Sequence, residues 1–224
     1  MISRQKLASM IDHSVLRPES TEEDVTKGCK LATDLGLAAV VVNPAHIALA
    51  AANLGGSPVK PCSVISFPFG LSTTEAKLTE VTEAISHGAK EIDVVMNFSA
   101  LLSGREDYVL NEIRKITEVA RRGGSTKTLV KVIIETCYLN DAQKRKACLL
   151  AVEGGADFVK TSTGFGPVGA MPDDVRLMRQ TVGPNIGVKA AGGIRTLEQA
   201  LKMVEAGADR IGTSSSLPML EGLR

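Results

Sequence analysis

Short apolar runs rich in valine and isoleucine alternate along the chain with longer segments in which apolar positions recur at helical spacing. This is the pattern of strands buried on both faces of a parallel sheet and covered by amphipathic helices. The runs predict strands near 10–13, 38–43, 59–67, 91–97, 129–135, 157–161, 187–191 and 210–213, with helices between them that include 21–35, 73–87, 107–121 and 141–153.

A local repeat supports the count of eight units. Gly88-Ala89-Lys90-Glu91-Ile92, Gly155-Ala156-Asp157-Phe158-Val159 and Gly207-Ala208-Asp209-Arg210-Ile211 each follow a predicted helix and open a strand, with glycine as the helix stop. Helix starts are as regular, marked by Ser20 or Thr21, Thr73, Thr196 and Pro172. Eight such units in 224 residues predict a compact α/β fold, a (β/α)8 TIM barrel forming one domain over 1–224. An open doubly wound sheet is the alternative. Its dinucleotide fingerprint is missing, because Gly164-Phe165-Gly166 comes late and has no downstream ribose-binding acid.

Composition narrows the function classes. A formal net charge of +1 with 3% aromatic residues offers neither a basic stripe nor a stacking platform, so a small molecule is expected as partner rather than nucleic acid or membrane. Cys29, Cys62, Cys137 and Cys148 lack metal or disulfide spacing, and the start of the chain has no apolar signal core. A cytoplasmic location is expected.

In a barrel the strand ends gather on one face, where they offer Asp12, Asn43, Ser66, Asp93 with Asn97, Glu135, Lys160, Lys189 and the turn Gly212-Thr213-Ser214-Ser215. Lys160 and Lys189 each close a short apolar strand and run into a glycine-rich turn. Adjacent strands lie about 4.8 Å apart, so the two amines approach each other. An ordinary lysine is neutral in only about one molecule in 2,500 at pH 7, whereas a pKa near 7 leaves roughly half neutral. Burial and a like charge both push in that direction, which points to a nucleophilic amine and a Schiff base with a carbonyl substrate. In the competing reading both lysines are structural, paired with Asp93 or Glu135 across the barrel.

Asp93 is the candidate acid or base for the proton transfers of imine chemistry, a role compatible with a salt bridge to Lys131 on the next strand. Alternation places Lys160 with Phe158, Asp93 with Glu91 and Val95, and Lys189 with Gly187, which would leave space beneath it. Gly192-Gly193-Ile194-Arg195-Thr196 and Gly212-Thr213-Ser214-Ser215 follow strands seven and eight, where barrels bind phosphate through backbone N–H groups and a short helix N-terminus. Of the three histidines, His46 and His87 fall on predicted helices, and His13 points away from its neighbour Asp12. No His and carboxylate cluster has metal-ligand spacing, so a metal-independent reaction without a cofactor is expected.

At these residues the chain resembles the deoxyribose-phosphate aldolase family of class I aldolases. The resemblance covers almost the whole chain and is carried by Ile11-Asp12-His13-Ser14, Val42-Asn43-Pro44, Glu91-Ile92-Asp93-Val94-Val95-Met96-Asn97, Lys131-Val132-Ile133-Ile134-Glu135-Thr136, and above all by Val159-Lys160-Thr161-Ser162-Thr163-Gly164 and Val188-Lys189-Ala190-Ala191-Gly192-Gly193. It implies that Lys160 forms the Schiff base, that Lys189 lowers its pKa, and that Asp93 acts with Lys189 and water as a proton relay. It further implies reversible cleavage of 2-deoxy-D-ribose 5-phosphate to D-glyceraldehyde 3-phosphate and acetaldehyde, in deoxyribose phosphate catabolism. Asp12 would orient substrate or the catalytic network, with Lys131 and Asn43 in support. Thr161, Gly164, Gly192, Gly193, Gly212, Ser214 and Ser215 would hold the substrate and its phosphate, and a homo-oligomer is compatible with such a barrel.

The chain departs from that pattern in three places. Some members carry a tyrosine on a C-terminal tail, but this chain ends at Arg224 and its tyrosines are Tyr108 and Tyr138. Proton transfer is then expected to rest on Asp93, Lys189 and water. Val41 stands where some have cysteine, and Phe165 where others place a basic residue, which shifts phosphate binding toward backbone donors. The rival readings are a lysine-dependent aldolase for another sugar phosphate, a phosphate-binding barrel without covalent chemistry, and a silent sugar-phosphate-binding scaffold.

Overall fold

Each of the eight apolar runs becomes a strand, and the strands close on themselves. In the computed structural model, which describes residues 2–122 and 127–223, β1 (Ile11–Val15), β2 (Ala39–Val42), β3 (Lys60–Ile65), β4 (Glu91–Val95), β5 (Leu129–Ile133), β6 (Phe158–Lys160), β7 (Gly187–Ala191) and β8 (Arg210–Thr213) pair in chain order. All pairs are parallel, and β8 returns to β1. The end of the chain at Arg224 lies outside the described residues.

Helices α1 (Arg4–Ala8), α2 (Glu22–Leu35), α3 (Ile47–Asn53), α4 (Thr74–Ser86), α5 (Phe98–Leu102), α6 (Glu106–Arg122), α7 (Asp141–Glu153), α8 (Pro172–Val182), α9 (Leu197–Glu205) and α10 (Ser216–Glu221) surround the strands. Thr21, Thr73 and Thr196 cap their helices as expected. The repeated glycine stops share one geometry. Gly88, Gly155 and Gly207 have φ of 101°, 90° and 109°, and the next residue's N–H reaches back to the carbonyl of Ala84, Ala151 or Met203 in a Schellman closure. None of the described helices is long and apolar enough to cross a membrane.

Several strands stop a residue or two before their predicted ends, and in β3 and β5 the cause is visible in the backbone. Ser66 and Glu135, each at φ 51°, turn the chain out of β3 and β5. Left-handed backbone is costly for such residues and persists only where surrounding contacts hold it. Here the Ser66 N–H donates to Glu80 Oε2 at 2.6 Å, and the Glu135 carboxylate accepts the Thr163 N–H.

Strand alternation divides the buried residues into two populations. Outward-facing Ile11, Val40, Val42, Ile65, Ile92, Val94, Val132, Val159, Val188 and Ile211 pack against the helices in the main core. Each such burial contributes roughly 1.5–3 kcal/mol. Inside the barrel, only Ala39, Val41, Cys62 and Val64, with Leu16 and Phe67 against them, form an apolar cluster. Val95, Ile133 and Phe158 also face inward, and beside them sit the charged residues Asp12, Glu91, Asp93, Lys131, Lys160, Lys189 and Arg210. In the helix layer, the fully buried Lys77 pairs with Glu112 at 2.6 Å and donates to the carbonyl of Val95 at 3.0 Å, tying α4 and α6 to the end of β4.

Candidate active site

Register brings the interior charges together. Asp93 lies opposite Lys131, and Lys160 lies opposite Lys189. Asp93, fully buried, divides its two oxygens between them. Its Oδ1 accepts from Lys131 Nζ at 2.8 Å, while Oδ2 accepts from Lys160 Nζ at 2.8 Å and from Lys189 Nζ at 2.6 Å. Lys189 also lies 2.6 Å from Asp12 Oδ2.

The network continues beneath this layer through residues that sequence reasoning did not single out. Arg210 reaches Asp12 Oδ1 and Glu91 Oε2, each at 2.7 Å, and Glu91 Oε2 lies 2.6 Å from Lys131 Nζ. The Cys62 thiol lies 3.4 Å from Asp93 Oδ1, and burial, then Asp93, pushes its pKa far up, so it stays a neutral thiol. Alternation through Gly212 assigns Arg210 to the interior, and that was the available signal.

Environment separates the lysines. Burial pushes the Lys160 amine down; Asp93 opposes this and Lys189 adds to it, leaving its pKa below the ordinary lysine value. At Lys189 the same burial is more than offset by Asp12 and Asp93, so its pKa is raised. Lys131 follows the same course, with Asp93 the chief opponent of burial. For the carboxyls of Asp93 and Asp12, burial is outweighed by the neighbouring cations, and both stay ionised. Pairs of groups pushed apart in this way are the mark of assigned acid and base roles.

A cavity of about 300 Å³ opens over the network at the C-terminal ends of the strands. Lys160 is the network member that lines it, together with Thr163, Gly164, Phe165, Gly192, Gly193, Arg195, Gly212 and Ser214. Gly164, Gly192 and Gly193 have φ of 89°, 89° and 75°, which only glycine adopts without strain. The lining includes a cation not anticipated from the pattern, Arg17 from the loop after β1, and among the described residues it contains no carboxylate. A nucleophilic amine at one end and arginines at the rim suit a carbonyl compound bearing an anionic group.

Other expected site residues sit elsewhere. Thr161 is sealed inside, its hydroxyl donating to the Ala191 carbonyl and accepting the Ala191 N–H, so it clamps β7 instead of lining the cavity. Ser215 lies outside the lining, and its N–H donates to Thr213 Oγ1 at 2.9 Å. Asn43 donates to the Leu16 carbonyl, Asn97 caps α5, and Glu135 holds Thr163, so none joins the lysines. Positive φ at Glu135 takes it out of the strand alternation and away from the lysines it was expected to pair with across the barrel. The space expected beneath Lys189 is taken by the Phe158 ring, against which Gly187 packs. His46 ends a 3-10 turn (Pro44–His46), and His87 caps α4. His13 does point away from the interior network, with Nδ1 2.8 Å from Ser216 Oγ.

Comparison with known proteins points to one group. The family model described as DeoC/LacD family aldolase matches residues 6–221. A deoxyribose-phosphate aldolase of Thermococcus gammatolerans is 54% identical over 97% of this chain and 96% of its own length, and one of Caldanaerobacter subterraneus subsp. tengcongensis is 50% identical over 98% and 94%. The solved deoxyribose phosphate aldolase of Aeropyrum pernix, described as a unique tetramer, superposes with a TM-score of 0.91 at 38% identity, covering 98% of this chain and 92% of that one.

Proposed function

The chain belongs to the DeoC/LacD family of aldolases, and we propose that it reversibly cleaves 2-deoxy-D-ribose 5-phosphate to D-glyceraldehyde 3-phosphate and acetaldehyde through a Schiff base on Lys160. One observation carries the assignment of the nucleophile: Lys160 alone belongs both to the buried charge network and to the lining of the anion-suited cavity. It is also the lysine of that network whose pKa is lowered, chiefly by burial.

The neutral Lys160 amine attacks the C1 aldehyde of the open-chain sugar, and the carbinolamine hydroxyl takes a proton from the relay and leaves as water to give a protonated imine. Removal of the C3 hydroxyl proton lets the C2–C3 bond break, with its electron pair taken up by the imine as an enamine. Glyceraldehyde 3-phosphate leaves, C2 takes a proton, and hydrolysis releases acetaldehyde and the free amine. Asp93 is within hydrogen-bond reach of Lys160 and Lys189, so it and water form the relay for these protons. Phosphate is received at the opposite end by Gly192, Gly193, Gly212, Ser214 and Arg195. Phe165 supplies an apolar wall, packed edge-to-face on Phe67 at 5.3 Å.

A homo-oligomer is part of this reading, on the precedent of the tetrameric relative. The test of the reaction is borohydride reduction with 2-deoxyribose 5-phosphate or acetaldehyde, followed by peptide mass mapping. A stable adduct on the Lys160 peptide is expected. An adduct on Lys189 would reverse the two roles, and none with either compound would leave a non-covalent sugar-phosphate barrel.

A further inference from the structure

The interior network has an unequal number of charges. Asp12, Glu91 and Asp93 face Lys131, Lys160, Lys189 and Arg210, three carboxylates against four bases. An uncompensated charge in such a place is expensive, so the network is most stable when one base gives up its proton. Arginine does not do so in proteins, and Lys131 and Lys189 are enclosed. Lys160 opens on the cavity and has a route for its proton.

Arg210 makes the count odd. We propose that Arg210 is a positioning residue that keeps Lys160 as the neutral amine: by holding Asp12 and Glu91 it supplies the fourth cation and leaves Lys160 in excess. This rests on the reading of Lys160 as the nucleophile. Without Arg210, three carboxylates would meet three lysines, and a protonated Lys160 would bring the interior to zero charge. Lys189 would also turn further toward Asp12, leaving Asp93 Oδ2 to Lys160 alone. Both effects favour the ammonium. The remaining titratable neighbour inside the barrel is the Cys62 thiol, which stays neutral. Arg17 and Arg195 share the cavity rim with Lys160 and are unaltered by the change.

The test is kcat/KM against pH for the full-length enzyme and its variants. Arg210→Met should move the acid limb up by on the order of one pH unit, the effect of one charge across a protein interior, while preserving the alkaline plateau. Arg210→Lys should stay close to the unaltered enzyme. Glu91→Gln, with two carboxylates against four bases, should move the limb down. The double variant Glu91→Gln/Arg210→Met should return it to its original place.

An unmoved limb in Arg210→Met, or an equal loss at every pH, would overturn the proposal. Should Arg210→Met fail to fold, Glu91→Gln and the double variant decide it, since an unmoved or raised limb in Glu91→Gln overturns it as well. Failure of borohydride to trap Lys160 in the unaltered enzyme would instead remove the assignment of the nucleophile, so the two failures are separable.

Discussion

Lys160 and Lys189 meet at a single oxygen, Asp93 Oδ2, at 2.8 and 2.6 Å. One carboxylate oxygen thus serves two amines of which only one has its pKa raised. Replacing Asp93 by Asn keeps an acceptor in place but removes the charge and the proton-accepting capacity. The expected result is a fall in kcat of about 10²–10⁴ with borohydride trapping on Lys160 retained, because the amine still lacks reason to hold its proton. Near-normal kcat would show that the relay runs elsewhere.

Lys189→Leu acts through the other partner. It removes a like charge and leaves Asp93 Oδ2 to Lys160 alone, so Lys160 should return toward an ordinary lysine. Because the nucleophile is then protonated below its raised pKa, kcat/KM at pH 7 should drop on the order of a thousandfold and recover as pH rises toward 10. A loss that is equal across the pH range would argue against this account.

Much of this arrangement was legible in the chain. Period-two alternation put Lys160 on the face of Phe158, Lys189 on that of Gly187 and Asp93 on that of Glu91, and turned His13 away from Asp12, and the barrel keeps all four relations because extended backbone leaves no other choice. Contacts across a closed barrel were harder to read. Arg210 reaches Asp12 on its neighbouring strand but also Glu91, 119 residues away, a meeting decided by barrel closure and stagger rather than by local pattern. Alternation also misleads where φ turns positive, as at Glu135, and it does not tell whether a polar group such as Thr161 spends its hydrogen bonds on backbone. Arg17 was missed because a loop has no period.

Arg17 gives the cavity a second rim cation where Phe165 supplies none. Its side chain is 83% exposed and lies 3.7 Å from Glu19, a weak commitment that leaves it available to a ligand. Arg17→Met should raise KM for 2-deoxyribose 5-phosphate by about five- to tenfold, the worth of roughly one screened charge-assisted contact, and leave cleavage of unphosphorylated 2-deoxyribose unchanged. Equal losses on both substrates would place Arg17 outside phosphate recognition.

The floor of the barrel sets a packing limit under the lysines. Phe158 of β6 lies opposite Gly187 of β7, and a Cβ at Gly187 would overlap the phenyl ring. Gly187→Ala should therefore destabilise the fold by about 1–3 kcal/mol through overpacking. Phe158→Leu in the same background should recover part of that loss, since the ring is the obstacle. Denaturant unfolding of the three variants checks this, and a neutral Gly187→Ala would mean that the ring moves aside freely.

His13 links the fold to pH outside the catalytic network. It is 7% exposed, packed between Gly28 of α2 and Ser216 of α10, and burial pushes its pKa down from 6.5 to about 4. The unfolded chain binds the proton first, so between pH 6.5 and 4 it holds more protons than the folded state, and stability must fall as pH falls through that window. The shift corresponds to on the order of 3 kcal/mol. The depressed carboxyls of Asp12 and Asp93 add their own losses from about pH 5 downward, where unfolded carboxylates begin to protonate. Urea unfolding of the unaltered protein and His13→Gln from pH 7 to 4.5 separates the contributions. The unaltered protein should lose stability more steeply across this range, and parallel curves would show that His13 is not the group that titrates.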